Sequence, residues 1–118
     1  MPLDIAQVGA ALGSTILAAL KSDSRKVKAL ALAEGEKLAF SLAKIAELLA
    51  QREIDREEAA LLVKVQRDAS EAVLASLAQI SRVAARRAVM GGLKGVADVF
   101  DKAVGVPLLG ALFAFARA

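Results

Sequence analysis

The sequence contains no cysteine, no histidine, no tryptophan and no tyrosine. Without cysteine there is no disulfide and no thiolate metal site. Without histidine the commonest general base and the commonest metal ligand are both missing. The Glu-x-x-His pairs of a di-iron helical bundle cannot be built either. Four phenylalanines bring the aromatic fraction to only 3 %. A core with so little bulky filler must let its helices approach through small side chains. Seven serines, at positions 14, 22, 24, 41, 70, 76 and 81, have no histidine to activate them. No phosphate-cradling glycine loop and no dinucleotide fingerprint occurs. These absences point away from an enzyme and from any cofactor, metal or small-molecule substrate.

What is present is apolar and small. The 118 residues fit a single domain, 1–118. The hydrophobic fraction is 57 %, above the ~45–50 % usual for soluble domains, and the mean hydropathy is +0.52. Alanine supplies most of it, with leucine and valine behind. A net charge of +3 permits contact with phosphate or acidic lipid without demanding it. Met1-Pro2-Leu3-Asp4 carries an acid and no basic residue ahead of its apolar stretch, unlike a secretory leader. Two stretches are free of charge, Ile5 to Leu20 over 16 residues and Ala103 to Ala116 over 14. Both fall short of the ~20 residues a spanning helix needs, yet either is long enough to lie in an interface. Such runs need cover from the rest of the chain, from neighbouring subunits or from lipid, and subunit cover is the leading expectation.

Pro2 and the Asp4–Gln7 pair open a first helix, from about residue 3 to 21. Ser22-Asp23-Ser24 offers turn and N-cap chemistry before a second helix over about 25–52. Within it Leu38, Leu42, Ile45 and Leu49 repeat at 4-3-4 spacing, a short association seam. Glu34, Lys37, Ser41, Lys44, Glu47 and Gln51 mark its polar face. Asp55 with Glu58 forms a capping box for a third helix, expected over about 55–90 and the longest of the set. Its apolar side reads Leu62, Val65, Ala69, Val73, Leu77, Ile80 and Ala84. Its polar side reads Lys64, Asp68, Glu71, Gln79, Arg82 and Arg86. Gly91-Gly92 is expected to end it, with a short fourth helix over 93–104. Gly105-Val106-Pro107 breaks the chain again, before a last apolar helix from 108 to 117. The fold class is therefore all-α. The second and third helices form an antiparallel hairpin, because their connection is so short, and the end of the longer third helix is expected to jut past the second or to be covered by a terminal segment or another subunit. Apolar terminal helices complete a small bundle that oligomerises.

Four groups of residues invite functional readings. Gly9 and Gly13, four apart among alanines, present a helix-association face. Gly91 and Gly95 share that spacing but read as a helix stop. Arg82, Arg86, Arg87 and Lys94 form a basic group with no acid between them. It reads first as a solvated face or as cations at a helix C-terminus, and second as a contact for phosphates of nucleic acid or lipid; no aromatic lies among them to stack a base. Glu53, Asp55, Glu57 and Glu58 gather at the hairpin tip, where helix-start stabilisation accounts for them. Leu108, Leu109, Leu112, Phe113 and Phe115 are candidates for membrane or partner contact.

The run Glu53-Ile54-Asp55-Arg56-Glu57-Glu58-Ala59, followed by Gln66, Ala69, Val73 and Leu74, resembles small helical proteins of tailed phages and prophages. Those proteins carry an E-I-D-x-E-E-A turn, then a Q-x-x-A step and a small-residue-rich tail. The likeness covers the middle third to half of the chain. Arg52 stands where such proteins often have glycine, and the arginine-rich end of the third helix departs from them. The resemblance implies a mobile-element origin, with a place in the virion or in the host cytoplasm or membrane. It carries over no active-site residues. The leading expectation is a non-enzymatic structural protein that associates with itself or with other structural proteins. A membrane-active or peripheral helical protein and a nucleic-acid-packaging accessory are the alternatives.

Overall fold

The computed structural model describes residues 4–105 and 107–110. Four helices follow one another: α1 (Ile5–Leu20), α2 (Arg25–Ala50), α3 (Arg56–Leu77) and α4 (Arg82–Val104). Each starts on a side chain that accepts an otherwise orphaned backbone N–H. Asp4 accepts from Gln7 N at 3.1 Å, Ser24 from Val27 N at 3.4 Å, and Ser81 from Ala84 N at 3.0 Å. Asp55 makes the full capping box: it accepts from Glu58 N at 2.8 Å while Glu58 Oε1 accepts from Asp55 N at 3.0 Å.

The helices close into a ring. α1 packs on both α2 and α4, α3 packs on both α2 and α4, and α2 meets α4 across the diagonal. The radius of gyration is 13.6 Å, close to the about 13.5 Å expected for a folded chain of this length. The core is built from Leu12, Ile16, Leu38, Leu42, Leu74, Val89, Leu93 and Phe100, all buried. One face of the charge-free N-terminal run is thus covered inside the chain, with Val8, Leu12 and Ile16 turned inward at four-residue spacing, while Ile5, Ala6, Ala10 and Ala11 stay exposed.

The all-helical bundle and the α2–α3 neighbourhood match the expectation, but the third helix does not. It stops at Leu77, and α4 begins at Arg82 rather than at Leu93. Gln79 takes a left-handed conformation, φ 56°, and Ser81 caps the next helix. α2, with 26 residues, is therefore longer than α3, with 22, so the length mismatch behind the expected overhang of the third helix does not arise. Gly91 and Gly92 do not end a helix; both lie inside α4.

The buried faces also differ from the expected ones. α3 turns in Ala59, Val63, Ser70, Glu71 and Leu74, while Val65 and Leu77, expected inside, are about half exposed. Glu71 and Glu34, both assigned to polar faces, are buried. Each carboxylate keeps one cation: Lys37 Nζ donates to Glu34 at 2.9 Å and Arg86 Nε to Glu71 at 3.0 Å. Those bonds let a charged group sit in a helix interface that a pattern of apolar residues would not allot to it.

Candidate interaction surfaces

Gly9 and Gly13 meet Gly35 of α2. A β-carbon placed at Gly35 would lie 2.5 Å from Gly13 N, 2.7 Å from Gly13 Cα and 2.8 Å from Gly9 O. α1 and α2 therefore cross backbone to backbone, with no room for a methyl group. The close approach expected of Gly9 and Gly13 occurs within the chain. Gly35 escaped the sequence reading, although a glycine in mid-helix costs about 1 kcal/mol against alanine and so asks for a packing reason. On α4, Gly92 faces Leu12 and Ile16 at 3.2 and 3.3 Å from its would-be β-carbon. Gly91 and Gly95 flank Thr15 more loosely.

The seam residues Leu38, Leu42 and Ile45 are buried in the core, and Leu49 packs partly buried against it. They join α2 to the rest of the bundle.

The basic group runs from the start of α4, at Arg82, to its middle, at Lys94, and not to a helix C-terminus. Arg82, Arg86, Arg87 and Lys94 are all exposed, but they do not act as one cluster. At ~100° per residue, Arg87 and Lys94 lie within about 20° of one another, whereas Arg82 is about 140° from Arg87. Arg86 is held by Glu71, whose hydrogen bond and negative charge raise the guanidinium pKa further above its ordinary value. Among the described residues, Arg82, Arg87 and Lys94 have no ion pair.

The C-terminal candidates divide. Leu108 and Leu109 are buried in the core. Asp101 holds them there, accepting from Leu109 N at 2.8 Å and Gly110 N at 3.0 Å. Leu112, Phe113 and Phe115 lie outside the described residues.

One surface feature has no counterpart in the sequence reading. An open groove of about 900 Å³ runs beside Phe40, lined by Ile5, Gly9, Ala10, Leu32, Glu36 and Lys37, with Gln66 at its α3 side. Phe40 is 65 % exposed, the largest such value among the exposed large hydrophobic residues described. The signal for it was Phe40 itself, placed about 160° around α2 from both Leu38 and Leu42, and therefore on the outward side.

Among the described residues, no helix is long and apolar enough to cross a membrane. No protein-family model, curated protein or solved structure matches the chain.

Proposed function

We propose that this chain is a non-enzymatic structural protein that works by helix–helix association with copies of itself or with other structural proteins. The observation that carries the reading is the apolar groove beside Phe40, a bulky ring held 65 % exposed on a helix whose other face is fully committed to the core. Single exposed apolar residues are ordinary, but an aromatic edge with an apolar recess beside it is the form of a docking surface. The helix-start turn at 53–59, which resembles that of small phage-encoded proteins, supports a place in a phage particle. Light scattering behind a sizing column tests the proposal: the expected mass is a multiple of the 12.2 kDa chain. A particle of single-chain mass at every concentration, in the presence and absence of other virion proteins, sinks it.

Arg87 and Lys94, on one line of α4 without an ion pair among the described residues, favour a second and lesser reading, contact with nucleic-acid phosphates. Such binding should weaken steeply with salt. Absence of retention on DNA or RNA at low salt removes it.

A further inference from the structure

The outward line of α2 carries Glu36, Phe40 and Lys44, successive members of one four-residue ridge, and all three are exposed. Their order is acid, aromatic, base. Reversed end for end about Phe40, that order becomes its own complement. We infer that Phe40 marks the two-fold axis of a homodimer in which α2 crosses the α2 of a second copy in the antiparallel sense. The inference rests on the assembly reading above and names its surface.

In this arrangement Glu36 of each copy falls beside Lys44 of the other, so two ion pairs flank a Phe40–Phe40 contact. Four-residue ridges interdigitate at a crossing angle of about −50°, which brings the three residues of each ridge into one line across the contact. A parallel pairing would set Glu36 against Glu36 and Lys44 against Lys44, so charge selects the antiparallel sense. A two-fold interface needs a self-complementary patch of this kind. The groove floored by Gly9 and Ala10 lies beside Phe40 and receives the ring of the second copy.

The groups involved are available for the exchange. Among the described residues Glu36 has no ion pair, and Lys44 reaches only Glu47 at 3.8 Å, with both side chains more than half exposed. A single helix crossing buries less than the about 1,600 Å² of a standard interface. The dimer is accordingly weak and concentration-dependent in isolation, and stronger where many copies are held together.

Sedimentation of the full-length chain over a wide concentration range tests this. The wild type should pass from monomer to dimer. E36K and K44E should each raise the dissociation constant about tenfold, because each replaces both attractive pairs by repulsive ones. The double variant E36K/K44E should dimerise like the wild type, since it merely reverses every pair. All these side chains are exposed, and circular dichroism verifies that each variant stays folded. F40C introduces the only thiol in the chain and should form a symmetric intermolecular disulfide on mild oxidation. Association that ignores the charge swaps places the contact elsewhere, overturning this surface while the assembly reading stands. A monomer at every concentration overturns the dimer, and it overturns the assembly reading as well where the chain also stays single in the presence of other virion proteins. A monomer in which the F40C thiol is also shielded from labelling makes residues 111–118 the cover, and equally overturns the dimer.

Discussion

Gly35 and Gly95 are both helical glycines, yet a methyl group should act on them in opposite directions. At Gly35 it would strike the backbone of Gly13 at 2.5–2.7 Å, and backbone cannot step aside as a side-chain end can. Alanine favours a helix over glycine by about 1 kcal/mol, but forced separation of α1 and α2 costs more. We expect Gly35→Ala to lose about 2–4 kcal/mol. At Gly95 the nearest atom to the added carbon is Thr15 Oγ1 at 3.9 Å, an ordinary contact. There the helix propensity decides, and Gly95→Ala should gain up to about 1 kcal/mol. Urea midpoints of the two variants should fall on either side of the wild type; a G35A midpoint equal to the wild type would mean that the helices do not cross there. Glu71 poses a different question at the same scale. Its carboxylate is buried and accepts a hydrogen bond from the exposed Arg86. Arg86→Ala strands that charge and should destabilise the fold clearly more than Arg87→Ala does, because Arg87 has no ion pair among the described residues. The hydrogen bond from Arg86 to Glu71, then their attraction, raises the arginine pKa. A raised folded-state pKa gives stability that is fully present below the unfolded-state value and lost only as pH climbs through the folded one. The Arg86 contribution should therefore be level through neutral and mildly alkaline pH. Thermal melts of wild type and R86A should run parallel there; a gap that closes between neutral and mildly alkaline pH would contradict this.

Helix ends explain both what the sequence disclosed and what it hid. Starts were legible, because Asp4, Ser24 and Asp55 are cap residues placed ahead of apolar periodicity, and the caps form as expected. The ends of α1, α2 and α4 were legible within two residues, but the end of α3 was not; Lys21, Arg52 and Gln79 each close a helix as a non-glycine residue in the left-handed region. At the end of α2, Glu53 N donates to Leu48 O and Arg52 N to Leu49 O, at 2.9 and 3.1 Å. That paired closure normally takes glycine at the residue Arg52 occupies. At Gln79 no glycine or proline announces the break, so the α3 periodicity read straight through into α4. The glycines that seemed to mark a stop, Gly91 and Gly92, serve close packing instead. Within α3 the face itself was taken wrongly, with Val65 and Leu77 inward and Glu71 outward, because a carboxylate reads as solvent-facing until its partner Arg86 on α4 is known. A left-handed conformation costs a non-glycine residue ~1–2 kcal/mol. Arg52→Gly and Gln79→Gly should each gain up to about 1 kcal/mol once the greater freedom of glycine in the unfolded chain is set against that relief. Ser81→Ala should lose about 1 kcal/mol through the missing cap of α4. Chemical denaturation reads all three, and an S81A variant as stable as the wild type would argue for a helix running unbroken through Ser81.

At the scale of the whole molecule, the high apolar fraction does not translate into an equal excess of exposed surface. Much of it is alanine, whose side chain adds little area, and the N-terminal apolar run is spent as the inner face of a helix touching two others. Among the described residues, eight larger apolar residues remain exposed, with Phe40 foremost. This could not be read from composition, because composition does not say which face of each helix turns inward. The other charge-free run returns to the bundle at Leu108 and Leu109, and here two contributions can be separated. Leu109 is fully buried, so Leu109→Ala should cost about 2–5 kcal/mol and lower the unfolding midpoint of the entire domain. Asp101 instead accepts the N–H groups of Leu109 and Gly110 from a partly buried position. Its replacement by alanine removes acceptors from two amides without opening a cavity. Asp101→Ala should therefore speed hydrogen exchange at Leu109 and Gly110 while amides in the middle of α1 and α2 keep their protection, a local opening below the global one. Equal acceleration throughout the bundle would show that the Asp101 tether is part of the cooperative core and that the C-terminal segment does not open separately.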